Sequence, residues 1–281
     1  MTETTARGVA IERDVVRVWG PDAVTFLQGQ CSQDVAGMAV GTSTHTFVLQ
    51  PQGKVDAWAR ITRTAADEVL LDLDDGFGQA LHDRLARFLI RTKAELEVLD
   101  LPAVAVRGAG APHGELPEGV HRLPVVGPGV EGYDLLGMGA ELPDGVAPMS
   151  LDDLRAHAVV HGVPAMGREL HESTIPAEVG DWIVAESVSF TKGCFVGQEL
   201  TARIDSRGGN VPRRLRAIRC EAPVVDGDVV DVDGPPATIT TAAVSPEHGP
   251  VGLAFLGRAV EPGARVTVGD VPGVVHELPL G

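Results

Sequence analysis

The chain has 281 residues, 44% of them hydrophobic, and a formal net charge of −16 at pH 7. That is enough for about two domains with packed cores and excludes wholesale disorder. The acidic balance disfavours nucleic acid and anionic membrane as partners. No apolar run approaches the ~20 residues of a bilayer span, and the polar start shows no signal peptide, so the expected protein is soluble and cytoplasmic.

Val9–Trp19 mixes β-branched residues with charges and predicts a strand. Pro21-Asp22 opens a short helix through Phe26-Leu27, with proline near the first turn, where its missing N–H is not needed. Thr44–Leu49 and Val55–Ile61 predict a hairpin closed by Gln50-Pro51-Gln52-Gly53-Lys54. Glu68–Leu73 is a further strand. Phe77, Leu81, Leu85, Phe88 and Leu89 fall at helical spacing and predict an amphipathic helix from Gly78 to Arg91. Glu95–Leu99 and Ala103–Val106 return to strand, and Gly108–Gly119 is a Gly/Pro-rich loop. Ser150, with Asp153 three residues on, starts a helix in a capping-box pattern. Leu151, Leu154, Ala158 and Val159 share one face of it and Pro164 ends it. Ser187–Phe190 predicts a short strand and Gly197–Ile204 a helix. Beyond the linker-like Gly208–Pro212, the pieces Leu215–Cys220, Val229–Val232, Ala237–Thr241, Val251–Phe255 and Arg265–Val268 alternate with turns, as in a small antiparallel barrel or sandwich. The expected class is α+β: residues 1–210 form a first module of two interwoven subdomains, and 213–281 a C-terminal β-barrel domain.

The three cysteines, Cys31, Cys194 and Cys220, are too few and too scattered for a disulfide framework or for the four thiolates of a resident iron–sulfur cluster, and no metal site is expected. Gly127–Gly132 matches G-x-G-x-x-G, but Pro128 removes a donor and the residues that follow suggest strand or loop, so the motif is a turn. His157 and His161 share a helix face and are expected to be partly buried structural histidines. Cys194 stands between a predicted strand and the start of a helix. Free amides, the helix dipole, Lys192 and a folded-back Arg203 would all favour its reactive thiolate. The alternative is a small buried apolar residue. Gly193 suggests a sharp turn or a close approach. Gln198 offers a donor and an acceptor to a planar polar ligand, and Glu199 a partner for Lys192 or Arg203. From Lys192 to Arg219 seven basic residues face two acids, a net +5, which suits either a local anion site or a solvated, ion-paired face.

The run Lys192-Gly193-Cys194-Phe195-Val196-Gly197-Gln198-Glu199, continuing to Ala202-Arg203 and Arg207-Gly208, closely resembles the signature of the YgfZ family. Gly20–Ala23, Phe26–Gln30, Gln50–Lys54, Gly162–Pro164 and Thr174–Glu178 resemble its other motifs, so the likeness spans most of residues 15–220. That family resembles in turn the glycine-cleavage T protein, an aminomethyltransferase. The resemblance implies a GcvT-like folate-binding module of mixed sheets and helices around a central channel, taking tetrahydrofolate. The arginines of the basic run suit the polyanionic glutamate tail of a polyglutamylated folate derivative, which is expected to bind more tightly than the monoglutamate. It also implies a role in assembly or repair of iron–sulfur proteins, tRNA-modifying enzymes among them. The partners it implies are a folate and iron–sulfur client proteins or assembly factors, with a monomer expected. Cys194 is carried over as the functional thiol, with Lys192 and Arg203 beside it, and Gln28, Asp56, Gly193, Gln198, Glu199 and Arg207 as cofactor-binding residues. Two departures stand out. T proteins carry adjacent aspartates where this chain has Asp56-Ala57, and a folate-contacting glutamate where it has Val160. Alternative readings are a tetrahydrofolate-dependent aminomethyl or one-carbon transferase, and a non-catalytic module that docks acidic partners through Arg213 and Arg214.

Overall fold

A computed structural model describes residues 6–206, 210–232 and 234–281. The stretch expected to be one strand at its start is two, β1 (Arg7–Ile11) and β2 (Arg13–Trp19), which part at Glu12 and enter different sheets. Helix α1 (Ala23–Gln30) follows, then the hairpin β3 (Ser43–Leu49) and β4 (Val55–Ala65), strand β5 (Glu68–Asp74) and helix α2 (Gly78–Ala86). Helix α2 ends a turn earlier than its apolar spacing suggests; Arg91 lies beyond it with φ +61°. Strands β6 (Glu95–Asp100) and β7 (Ala103–Arg107) part at Leu101-Pro102, again into different sheets, and β8 (His121–Pro124), β9 (Gly132–Leu136) and β10 (Ala147–Pro148) follow.

Two five-stranded sheets result, ordered β10-β1-β7-β9-β8 and β3-β4-β5-β2-β6. The chain crosses from one to the other at Glu12 and at Leu101-Pro102, which weaves them together. Val15, Leu70, Ala103, Leu123 and Leu136 close a small core between them. The strand after Gly132 is β9, so Gly127–Gly132 is a turn feeding a sheet and no helix follows it.

Helix α3 (Leu151–His161) starts where predicted. Ser150 Oγ accepts from the Asp153 amide and Asp153 Oδ2 from the Ser150 amide, each at 3.1 Å, a reciprocal cap on the first turn. It stops at Gly162, φ +67°, rather than at Pro164. Its buried residues are Ala156 and Val159, while Leu151 is 60% exposed, so the inner face is rotated from the expected one. Three short helices follow: α4 (Pro176–Val179), α5 (Asp181–Ser187) and α6 (Gln198–Ser206). The strand expected at Ser187–Phe190 is absent, because Ser187 ends α5.

The C-terminal strands β11 (Arg213–Cys220), β12 (Val229–Asp231), β13 (Ala237–Ser245), β14 (Gly249–Gly257), β15 (Arg265–Val268) and β16 (Val271–His276) close a barrel in the order β11-β14-β13-β12-β15-β16. Strand β16, broken up by Pro272 and Gly273, escaped the sequence pattern. Ile218, Val230, Ile239, Leu256 and Val275 fill the barrel core. Among the described residues no helix is long and apolar enough to cross a membrane.

Candidate functional site

Cys194 sits in the loop between α5 and α6, exposed, whereas Cys31 and Cys220 are buried and burial pushes both of their thiols up to about 11. The expectation that Cys194 is flanked by a strand is corrected by α5. What holds the loop is an underside of two separate segments. Lys192 Nζ donates to the carbonyls of Gln28 (2.6 Å), Cys31 (2.6 Å) and Gln33 (2.9 Å). An ammonium has three hydrogens, and all are used here on carbonyls around the end of α1 that the helix cannot satisfy itself. The amides of Ser189 and Val196 donate to the carbonyls of Ser32 (3.0 Å) and Gly29 (3.3 Å). Gln198 Oε1 accepts from the Phe195 amide at 3.1 Å, closing the loop on itself.

The second segment is the β3–β4 turn. Gly197, φ +84°, lies so near it that a Cβ would stand 2.5 Å from the Gln50 carbonyl oxygen and 2.7 Å from Leu49 Cβ. Gly53, φ +76°, is its counterpart: a Cβ there would meet Leu200 Cβ at 2.6 Å. Both positions need glycine for conformation and for approach. The segments Phe26–Gln30, Gln50–Lys54 and Lys192–Glu199 therefore meet in space, although more than a hundred residues separate the last from the others.

Several expected roles change. Lys192 is a loop clamp, and among the described residues no hydrogen bond or ion pair joins Cys194 to Lys192 or Arg203; burial lowers the Lys192 pKa, against the opposing pull of Cys31 and Asp34. Arg203 lies on the exposed side of α6. Gly193 is exposed with open space around it, so the close approach belongs to Gly197. Gln28 spends its amide on Asp34 Oδ1 (2.9 Å) and the Ala36 amide (3.0 Å). Asp56 Oδ2 accepts from Arg84 Nε at 2.8 Å, beside a cleft of about 490 Å³ that also includes Gln50, Gln52 and Phe88. Glu199 is exposed and makes no ion pair with Lys192 or Arg203 among the described residues, and Arg207 lies outside them. The basic segment is an ion-paired face: Arg213 with Glu178 (3.0 Å), Arg214 with Asp181 (3.9 Å) and Arg216 with Glu277 (2.8 Å).

A second feature lies where the two sheets and α3 meet. A cavity of about 350 Å³ is lined by residues that include Arg13, His45, Trp58, Arg60, Arg107 and Asp134. A neighbouring cavity of about 430 Å³ shares Arg107 and His157 with it and reaches the β13–β14 turn of the barrel at Ser245–His248. None of Gln28, Asp56, Gly193, Gln198 or Glu199 lines either cavity.

Behind the first cavity runs a buried charge network. Arg60, 2% exposed, donates to both oxygens of Asp72 (2.7 and 3.0 Å) and to Asp134 Oδ2 (2.8 Å). Arg107 reaches Asp134 Oδ1 (2.7 Å), and Arg13 reaches Asp72 (3.0 Å) and Asp74 (2.6 Å). Three guanidiniums thus balance three carboxylates. Burial alone would raise the pKa of Asp72, but Arg60 and Arg13 hold it below the usual carboxylate range; Arg107 and Arg60 do the same for Asp134. His45 faces Trp58 with ring centroids 5.0 Å apart, and its Nδ1 is buried with no partner among the described residues. Burial, then Arg60, drive the His45 pKa down to about 3, so the ring is neutral. Sequence reasoning missed these residues. The signal was present as single charges inside apolar strands, at Arg60, Asp72 and Asp134.

No protein-family model matches the chain. It is 28% identical over 272 residues to the human iron–sulfur cluster assembly factor IBA57, mitochondrial, covering 87% of this chain and 75% of that protein. It is 28% identical over 228 residues to the tRNA-modifying protein YgfZ of Edwardsiella ictaluri, covering 69% and 65%. The fold matches the crystal structure of the glycine cleavage system aminomethyltransferase T from Bartonella henselae with a TM-score of 0.79 over 99% of this chain and 87% of that one, at 19% identity. These relatives and this fold match a YgfZ/GcvT-like family. The chain shows the GcvT-like fold, with two interwoven sheets and a closed six-stranded barrel at the C-terminus.

Proposed function

We propose that this YgfZ/GcvT-like chain binds a tetrahydrofolate, with or without a polyglutamate tail, in its central cavity, and serves the assembly or repair of iron–sulfur proteins, tRNA-modifying enzymes among them. Cys194 is the functional thiol. The observation that carries the reading is the exposure of Cys194 on a loop braced by two distant segments, while the other two thiols are buried. A cysteine kept only as a small apolar residue needs no such presentation. The names of the relatives, an iron–sulfur cluster assembly factor and a tRNA-modifying protein, support the biological direction.

The cavity residues fit a folate. Trp58 offers an aromatic surface, Arg13 and Arg107 offer guanidinium edges, and a buried imidazole nitrogen there lacks a partner. Arg13, Trp58, Arg107 and His157 are the residues that would hold the ligand, which when bound would supply one-carbon or reducing chemistry. Arg213, Arg214, Arg216 and Arg219 line neither central cavity, so a polyglutamate tail has no support from the basic run. The aminomethyltransferase alternative is disfavoured by Ala57, which is 2% exposed in the hydrophobic core where T proteins carry a carboxylate. The docking alternative is disfavoured by the ion pairs of Arg213 and Arg214.

The test combines anaerobic calorimetric titration with reduced folate and complementation of a host depleted of its own factor. Wild type is expected to bind and to restore iron–sulfur enzyme activity, and Cys194→Ser to bind equally but restore little. Full rescue by Cys194→Ser removes the thiol role, and absence of binding removes the folate.

A further inference from the structure

We propose that His45 is the polar anchor of the central cavity, orienting a planar heterocyclic ligand by a hydrogen bond to an amide-like ring edge. The assignment rests on the folate reading and adds the residue that sets which face and edge of the ring are recognised.

The carboxylates around the cavity are committed to the guanidiniums of the same network. Asp72 Oδ1 accepts from Arg13 and Arg60 and its Oδ2 from Arg60; Asp134 divides its oxygens between Arg60 and Arg107. Asp74 Oδ1 takes Arg13 (2.6 Å) and its Oδ2 takes the Met166 amide (2.8 Å). These groups shape the cavity and carry no spare acceptor demanding a ligand. His45 is different. It stands on β3 in the wall of the cavity, 7% exposed, and its buried Nδ1 has no hydrogen-bond partner among the described residues. Buried polar atoms are nearly always paired, so an orphan on a cavity wall marks the place where a partner arrives.

The chemistry of that partner follows from the surroundings. Arg13 and Arg60 lie close enough to disfavour an imidazolium, and Asp72 and Asp134, which would favour one, are committed to those guanidiniums. A neutral imidazole has one N–H and one lone pair. It can donate to a ring carbonyl or accept from a ring N–H, so a heterocycle edge carrying both groups satisfies it in either tautomer. Trp58, tilted 33° to the imidazole and held by Nε1 donating to Ser187 Oγ (2.9 Å), supplies a fixed aromatic wall beside it. A pterin ring has that edge and that shape; an aliphatic or anionic ligand does not.

The test compares wild type, His45→Phe and His45→Asn by titration with 5-formyltetrahydrofolate, read by calorimetry and by Trp fluorescence, alongside melting temperature. Phe keeps the volume and removes the polar atoms; Asn keeps a donor and an acceptor. His45→Phe should weaken binding on the order of 10–100-fold, while the melting temperature of the free protein holds or rises because an unpaired buried group is gone. His45→Asn should bind within about fivefold of wild type, since its amide still offers both functions. Unchanged binding by His45→Phe overturns the assignment, and so does a loss of binding shared equally by Asn. If wild type binds no folate, pterin and lumazine are titrated as fragments. Fragment binding lost in His45→Phe keeps the anchor while ending the folate reading, and no fragment binding ends both.

Discussion

At the residue scale, two kinds of polar group divide the work. Lys192 and Gln198 are local clamps whose hydrogen bonds hold the cysteine loop, whereas Arg60, Asp72 and Asp134 form a balanced charged core between the sheets. Stability should respond to pH through the second kind and through His45. The His45 pKa lies at about 3 in the fold, against ~6.5 for an unfolded histidine. The unfolded chain therefore takes up the proton first, and the contribution of His45 is full above pH ~6.5 and lost as pH falls from there toward 3. The folded pKa of Asp72 is depressed, so its contribution is complete above the ordinary carboxylate value of ~3.9 and is lost only below that. The urea midpoint should thus start to fall between pH 6.5 and 5, before the aspartates titrate. His157, lowered by burial to about 4, adds to the same range. His45→Phe should flatten this upper part of the profile; a curve parallel to wild type would contradict the buried neutral ring.

At the element scale, the cysteine loop is a docked element. It is held by the Lys192 side chain, by backbone hydrogen bonds and by the close approach of Gly197 to the hairpin turn, so it depends on conformation at that glycine. Gly197→Ala should cost about 2 kcal/mol or more, since alanine is strained at φ +84° and its Cβ meets the Gln50 carbonyl. Hydrogen exchange at Phe195, Val196 and Gln198 should accelerate, and iron–sulfur maturation should fall with it. Gly193→Ala, four residues earlier in open space, should change neither. Equal effects of the two substitutions, measured by exchange and urea unfolding, would mean that the loop is not held where Gly197 touches the hairpin turn. The resemblance motif includes both glycines, and only packing distinguishes them.

At the scale of the whole molecule, the barrel shares the main hydrophobic core with the sheets through Leu215, Ala217, Val251, Leu253 and Phe255, and polar contacts pin it in place. Glu169, 1% exposed, accepts from Thr240 Oγ1 (2.5 Å) and Thr241 Oγ1 (2.6 Å) with one oxygen and from the Ala165 amide (3.0 Å) with the other. Arg155 and Arg168 both pair with Asp226, and helix α3 packs against β13. Glu169→Ala removes one acceptor from two strand hydroxyls and one loop amide, at a cost of about 2–4 kcal/mol. Calorimetric melting should then resolve two transitions, the barrel separating from the woven sheets. A single transition at the wild-type temperature would show that the apolar contacts suffice.

The hairpin with its Pro-Gly turn, the capped helix α3 and the run of short C-terminal strands were legible because each rests on chemistry within a few residues: turn formers, a reciprocal Ser150–Asp153 cap, alternating apolar positions. Cys194 was legible as a candidate because its motif is contiguous. The break of one apparent strand into β1 and β2 was not, because a β-branched run has the same local pattern whether it serves one sheet or crosses between two. Nor was the role of Lys192, whose three acceptors lie on residues more than a hundred and fifty positions away. The central cavity belongs wholly to tertiary structure. His45, Arg60, Arg107 and Asp134 come from four strands in two sheets, and each looks like an ordinary strand residue until the crossings at Glu12 and Leu101-Pro102 bring the sheets together. Local propensity and contiguous motifs are written along the chain, whereas which charges are buried against which is set by the path the chain takes between sheets.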